Sequence, residues 1–392
     1  MIERYAHPEI KRIWSDQNKF NLWAKLELTY LEKFLFHKNP AIGIILNKNI
    51  NIDVQKVKTL EATTKHELVA FLQYLETTIA LADIKKFLHY GLTSSDIIDT
   101  ASVLQIKESF AAYYSAYCNL HFTLTNLADK YEVNGLCAIG RTHGKHAEKI
   151  LLADRFFLLL SELEYCYLEL ESAVESLPGK LSGPVGTSSH INPEVAKSTL
   201  SEFNLKPIEI STQIIPRHLF AKLTWAIGLT LSVYERFATM IRLSAIDEVN
   251  EIQEGFSPGQ CGSSAMPHKN NPILSENICG LARLARRNIE PTLQNIPLWW
   301  ERDISHSSVE RVVWAESFHL LMHATTKMQA LIDQIYIIED NVDFNLSDSL
   351  VKTSHSDLLN ALTSTSRSEA YKVVQNEYNL KRTLQDENEN LS

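Results

Sequence analysis

Glycine and proline are scarce in this chain, at 13 and 12 of 392 residues, against roughly 7% and 5% in average usage. Glycine loosens helices and proline breaks them, so their shortage favours long uninterrupted helices. Cysteine is sparse as well. The five present, Cys118, Cys137, Cys166, Cys261 and Cys279, form no CxxC pair, which indicates neither a zinc site nor a disulfide framework and makes a reducing, cytoplasmic setting the simplest expectation. An excess of basic charge is also missing. A net charge of −9 argues against nucleic acid or a membrane surface as the main partner, while local basic clusters leave a small anionic ligand open. Nor is there a long apolar run: residues 109–128 lack Asp, Glu, Lys and Arg but carry Ser, Asn, His, Thr and Tyr, a costly composition for a membrane span. The opening MIERYAHPEIKRIW has none of the apolar core of a signal peptide.

What is present is helical periodicity. Apolar residues recur at Leu219, Leu223, Ile227, Leu231, Tyr234, Phe237 and Ile241, the spacing of one helical face. Similar patterns predict helices over 101–130, 147–177, 273–296 and 309–338, and no repeat of solenoid length interrupts them. The expected class is all-α, built on a bundle of long helices. Ten of the thirteen glycines fall in four short places, near 91 and over 134–146, 177–189 and 254–264. Those places also hold the unusual polar residues, so the helices read as a scaffold carrying functional loops. Boundaries at Gly91 and near 341 divide the chain into an N-terminal helical domain (1–92), a central bundle with its glycine-rich loop (93–341) and a C-terminal helical domain (342–392). The polar stretch after 378 is expected to fray.

Four stretches could carry chemistry. In HYGLTSSDIIDT (89–100), Thr93 to Asp96 resembles a capping box; it either merely starts a helix or lets Thr93, Ser94 and free helix N–H groups seat an anion. GRTHGKHAEK (140–149) places His143 and His146 three apart where a helix is expected to begin. No third ligand accompanies them and no HExxH occurs, so a metal is not expected. His143 on a glycine-flanked turn suits a general acid, the alternative being a hydrogen-bonded core histidine. In WWERDISHSSVERVVW (299–314), Arg302, Ser307 and Arg311 approach one helical face near its N-terminus, as a phosphate monoester requires. The plain alternative is surface charge paired with Glu301 and Glu310. The fourth, QCGSSAMPHKNNP (260–272), is a flexible loop running into a helix that has proline at its first turn. Lys269 and the loop N–H groups there could stabilise charge that appears only in a transition state. By side-chain pKa alone His268 would be the base.

GSSAMPHKNNP (262–272) resembles the signature of the fumarase/aspartase superfamily, enzymes that eliminate fumarate from succinyl-type substrates. MIERY, KHELVAF (65–71), HYGLTSSDIIDTA (89–101) and PLWWERDISHSSVER (297–311) resemble the branch of it that acts on adenylosuccinate and on the succinocarboxamide ribotide of purine synthesis. The resemblance runs in order over about residues 1 to 375. It implies three helical domains, a fumarase/aspartase-like fold, no metal or organic cofactor, and a homotetramer whose sites draw on several subunits. The loop would be a lid, with Ser263 rather than His268 as the base that removes the Cβ proton. His143 would protonate the departing nitrogen, His66 would assist at the carboxylates or leaving group, and Lys269 would stabilise the aci-carboxylate. Arg4, Tyr5, Arg302, Ser307 and Arg311 would hold the nucleotide, chiefly its phosphate. Thr93, Ser94 and Gln213 would bind the succinyl part, with Lys65, Glu67, Ser264 and Asn271 completing the substrate contacts.

The chain departs from the family pattern in places. Lys65-His66-Glu67 stands where RHD is usual, Lys149 follows Glu148 where proline is common, PRHLFA (216–221) replaces an RDRHA-like run, and Trp300 occupies the place of a histidine. The third domain is expected to be shorter than in the family. A related lyase acting on another succinyl adduct, or a helical scaffold without catalysis, are the other classes these residues allow.

Overall fold

Long apolar-periodic segments become long helices because one buried stripe can be satisfied along their whole length. In the computed structural model, which describes residues 1–40, 46–48, 50–80, 82–256, 259–260, 262, 265–266, 268–349 and 354–389, the principal helices are Ser94–Asn134, Asp154–Glu175, His218–Ser244 and Ser305–Gln334. The first has 41 residues. Six of the seven periodic positions between 219 and 241 are buried, and Leu219 is half-buried. The fold is all-α, with two small sheets as its only strands among the described residues. No helix among those residues is long and apolar enough to cross a membrane.

The chain divides into two compact units. One comprises Met1–His121, Glu162–Ala238 and Leu274–Ala330; the other comprises Phe122–Ser161, Thr239–Ile273 and Leu331–Ser392. The first unit's core includes Phe20, Trp23 and Phe71, with Trp23 edge-on to both phenylalanines at 5.3 and 5.5 Å between ring centres. Phe220 stacks on Trp314 at 4.6 Å. Gly228 lets two helices approach closely, since a Cβ there would lie 2.7 Å from Ile289. Charge also lies deep in this unit: Lys180 and Asp96 are both fully buried and paired at 2.6 Å.

The second unit holds the sheets. Strand β1 (Cys137–Thr142) pairs antiparallel with β2 (Lys145–Leu151), and β3 (Ile252–Gln253) pairs with β4 (Tyr336–Ile337). Here the structure corrects the helix expected over 147–177. Residues 145–151 are strand, and the helix starts at Asp154. The cause is the His143–Gly144 pair, whose φ values of +53° and +74° form the two-residue turn that matches strand twist and returns the chain as a hairpin. His143 and His146 are therefore not at a helix start. The stretch after 378 also differs from expectation, because the Arg367–Glu389 helix runs through it.

Candidate functional site

In the first unit Arg302 is held against a buried network. The Ser305–Gln334 helix is started by Asp303, whose carboxylate accepts from the backbone N–H of Ser305 at 2.8 Å and of Trp299 at 2.9 Å. The Ser305 hydroxyl and these two N–H groups draw the Asp303 pKa down to about 2. Arg302, just before this start, donates from Nη1 to Gln213 Oε1 at 3.0 Å and from Nε to His306 Nε2 at 3.2 Å. Two residues expected to bind substrate, Gln213 and Arg302, are thus in direct contact.

Behind them lies Arg217, almost fully buried. It donates to Asp99 at 2.6 and 3.0 Å and to Glu310 at 2.9 and 3.0 Å. Burial opposes the charged form of Asp99, yet the Arg217 guanidinium outweighs it and holds that carboxyl below its ordinary value. Glu310 therefore serves Arg217 and His306, not Arg302 or Arg311 as the surface-charge alternative supposed. Arg311 is exposed and pairs at 3.2 Å with Glu67, which also accepts from Lys19 at 2.5 Å. Arg217, Asp99 and Glu310 were not among the site residues read from the sequence. The available signal was a charged residue inside an apolar run, as with Asp99 in SDIIDTAS, because a buried charge requires a partner.

His66 caps the Glu67–Thr78 helix, with Nδ1 accepting from the Val69 N–H at 3.4 Å. That arrangement leaves Nε2 to carry the proton of the neutral ring. Lys65 closes the preceding helix in the left-handed region, at φ +53°. At the Ser94–Asn134 helix the Asp96 half of the capping box is present. Asp96 accepts from Thr93 N at 2.8 Å, and from Ser182 N at 3.0 Å and Gly183 N at 3.1 Å, besides Lys180. One buried carboxylate therefore ties the Thr93–Ser94 start to the 180–183 loop. Arg4 is exposed in the short Glu3–Tyr5 turn, Tyr5 packs edge-on to His323 at 5.2 Å, and Ser307 is half-buried on the face expected.

In the second unit His143 sits exposed at the tip of the β1–β2 hairpin. The hairpin is anchored by Arg141, which forms a bidentate pair with buried Glu251 at 2.7 and 3.0 Å. Gly140 is required beside that pair, because a Cβ would lie 2.8 Å from Glu148 O. Lys269 and Asn271 line a cleft of about 750 Å³ together with Arg242, Asp247, His268 and Tyr336. Asn271 Nδ2 donates to Gly262 O at 2.8 Å, drawing the two ends of the loop together. Pro272 precedes the Ile273–Arg287 helix rather than opening its first turn. Ser263 and Ser264, the expected base and its neighbour, lie outside the described residues.

Comparison with known proteins gives these features a family. Residues 7–286 match the family model described as lyase. The chain is similar to adenylosuccinate lyase of Thermotoga maritima, at 35% identity over 96% of this chain and 87% of the relative. It is also similar to adenylosuccinate lyase of Aquifex aeolicus, at 38% identity with the same coverage. Among solved structures it shares its fold with a fumarate lyase from Mesorhizobium sp. BNC1 (TM-score 0.82, 20% identity, 98% of this chain and 88% of the other). It shares it too with 3-carboxy-cis,cis-muconate lactonizing enzyme from Pseudomonas putida (TM-score 0.82, 20% identity, 97% and 87%). The chain is a lyase with the fumarase/aspartase fold. Within that class it belongs to the adenylosuccinate lyase family.

Proposed function

We propose that the chain eliminates fumarate from adenylosuccinate to give AMP, and from the succinocarboxamide ribotide of purine synthesis to give the carboxamide ribotide. The observation that carries this reading is the match to adenylosuccinate lyases over 96% of the chain. In the reaction Ser263 takes the Cβ proton, the electron pair moves into the adjacent carboxylate as an aci-carboxylate, and the C–N bond then breaks. His143 gives its proton to the departing nitrogen, so one proton is removed and one returned. Lys269 faces the charge of the intermediate, where stabilisation lowers the barrier more than equal ground-state binding would. A serine base requires a dry, cationic surround, which a closed loop bearing Lys269 would supply.

Arg302, Ser307 and Arg311 hold the phosphate, with Arg4 and Tyr5 on the nucleotide. Thr93, Ser94 and Gln213 take the succinyl part, with His66, Lys65, Glu67, Ser264 and Asn271 around it. The three-domain division at 92 and 341, a homotetramer with shared sites and a cytoplasmic location belong to the same proposal. The test is absorbance-monitored turnover of both substrates by purified wild type beside Ser263→Ala. Turnover in wild type, lost in the variant while AMP still binds, is expected. AMP binding without fumarate release from either substrate in wild type would overturn the reading.

A further inference from the structure

Arg302 differs from the other arginines around it in what it touches. Arg217 is saturated by two carboxylates and Arg311 is paired with Glu67. Arg302 is held by two neutral acceptors, the Gln213 amide oxygen and an imidazole nitrogen of His306. Among the described residues no carboxylate forms an ion pair with it and Nη2 has no hydrogen-bond partner, so one edge of a fixed guanidinium keeps its charge for a ligand. Such an edge suits two oxygens of a phosphate monoester.

The proton on His306 can be placed from its neighbours. Arg217 has two hydrogens on Nη2, and both are used, on Asp99 Oδ1 and Glu310 Oε2 at 3.0 Å each. The 3.3 Å contact from that nitrogen to His306 Nδ1 therefore has no hydrogen left to share. Glu310 Oε2 lies 2.8 Å from Nδ1, and an ionised carboxylate only accepts, so Nδ1 carries the proton. Nε2 is then a lone pair, as the N–H from Arg302 Nε requires. The opposite tautomer, or a doubly protonated ring, would set two donors against each other. Asp99 anchors Arg217, and Arg217 and His306 share Glu310.

We propose that Glu310 and His306 act as a positioning pair for Arg302, fixing the imidazole tautomer so that the free guanidinium edge is presented to the substrate phosphate. Arg217 and Asp99 hold the pair in place. The inference rests on the functional reading above and assigns His306 a role in recognising phosphate, not in the elimination step. Losing a charge-assisted hydrogen bond that orients the guanidinium is worth about ten- to a hundredfold in affinity.

The test measures kcat and KM separately for His306→Leu, His306→Asn and His306→Gln, with adenylosuccinate and with the same molecule lacking its phosphate. Gln can return an acceptor oxygen to the Nε2 position, whereas Asn reaches only the Nδ1 position. Expected are a KM for adenylosuccinate raised about tenfold or more in Leu and Asn, recovery of most of that loss in Gln, and kcat changed by less than about twofold. The differences among variants should vanish with the dephosphorylated substrate. Should Leu fail to fold, the Asn–Gln pair decides alone. Equal losses on both substrates, or Gln no better than Asn, would overturn the inference by making His306 merely a packing residue. Wild type inactive on adenylosuccinate would instead remove the functional reading, and Arg302→Ala costing equally on both substrates would remove the phosphate from Arg302.

Discussion

The Arg217 network and the His143 hairpin place functional side chains by opposite means. In the first, a guanidinium is oriented from behind by buried groups whose every N–H is used. In the second, a histidine is lifted into solvent by backbone geometry, on a turn with two positive φ values, with the Arg141–Glu251 ion pair beside it. The difference fits the tasks proposed for them. A phosphate-binding group must stay put, and buried ion networks are rigid because losing one partner is so costly. The acid proposed for the exposed tip needs reach rather than a fixed seat.

The largest effect is expected at Asp99. Asp99→Ala leaves Arg217 buried with one of its two carboxylate partners gone, and should cost about 3–5 kcal/mol in denaturant unfolding. A cost under about 1 kcal/mol would mean the network does not hold the region. The sign with pH follows from the depressed Asp99 pKa. Its contribution is complete above the unfolded carboxyl range near 4 and is lost as pH falls through the lower native value. Acid unfolding of wild type should therefore show a steeper loss below about pH 4 than unfolding of the Asp99→Ala variant.

Next comes the loop. At Gly262 a Cβ would lie 2.3 Å from Lys269 O and 2.9 Å from the Phe256 ring, so Gly262→Ala must displace the segment bearing Lys269. Because misplacing a group by about 1 Å can cost a hundredfold, kcat should fall by about that factor with thermal stability nearly intact. A matching fall in Tm would show instead that the loop is part of the folding core. The smallest effect is expected at the hairpin tip. Gly144→Ala, at φ +74°, should cost about 1 kcal/mol, and Gly144→Asn, which tolerates that backbone, should restore most of it. Equal costs for the two would mean that the backbone conformation of the turn does not govern the tip.

The long helices were legible because burial on one face imposes a 3.6-residue period that survives without tertiary information. The hairpin was not: Arg141, Thr142, Lys145 and His146 are polar on both faces, so no alternation marks the strands, and only the His-Gly turn does. The loop around Lys269 was legible as a motif in a helical chain, as was the Thr93–Asp96 cap, since its partners are local. The Arg217 network escaped because its partners lie 118 and 93 residues away. Nothing in PRHLFA says which side chain will be buried. The altered PRHLFA segment nevertheless supplies the arginine that sits behind Arg302.

On the proposed function, binding and chemistry are divided between these two regions. The deciding measurement is kcat and KM for adenylosuccinate cleavage by Arg302→Ala and His143→Ala, side by side with wild type. Arg302→Ala should raise KM about tenfold or more with kcat little changed. His143→Ala should lower kcat by about a hundred- to ten-thousandfold with KM within a few-fold of wild type. Both substitutions acting on the same parameter would contradict it.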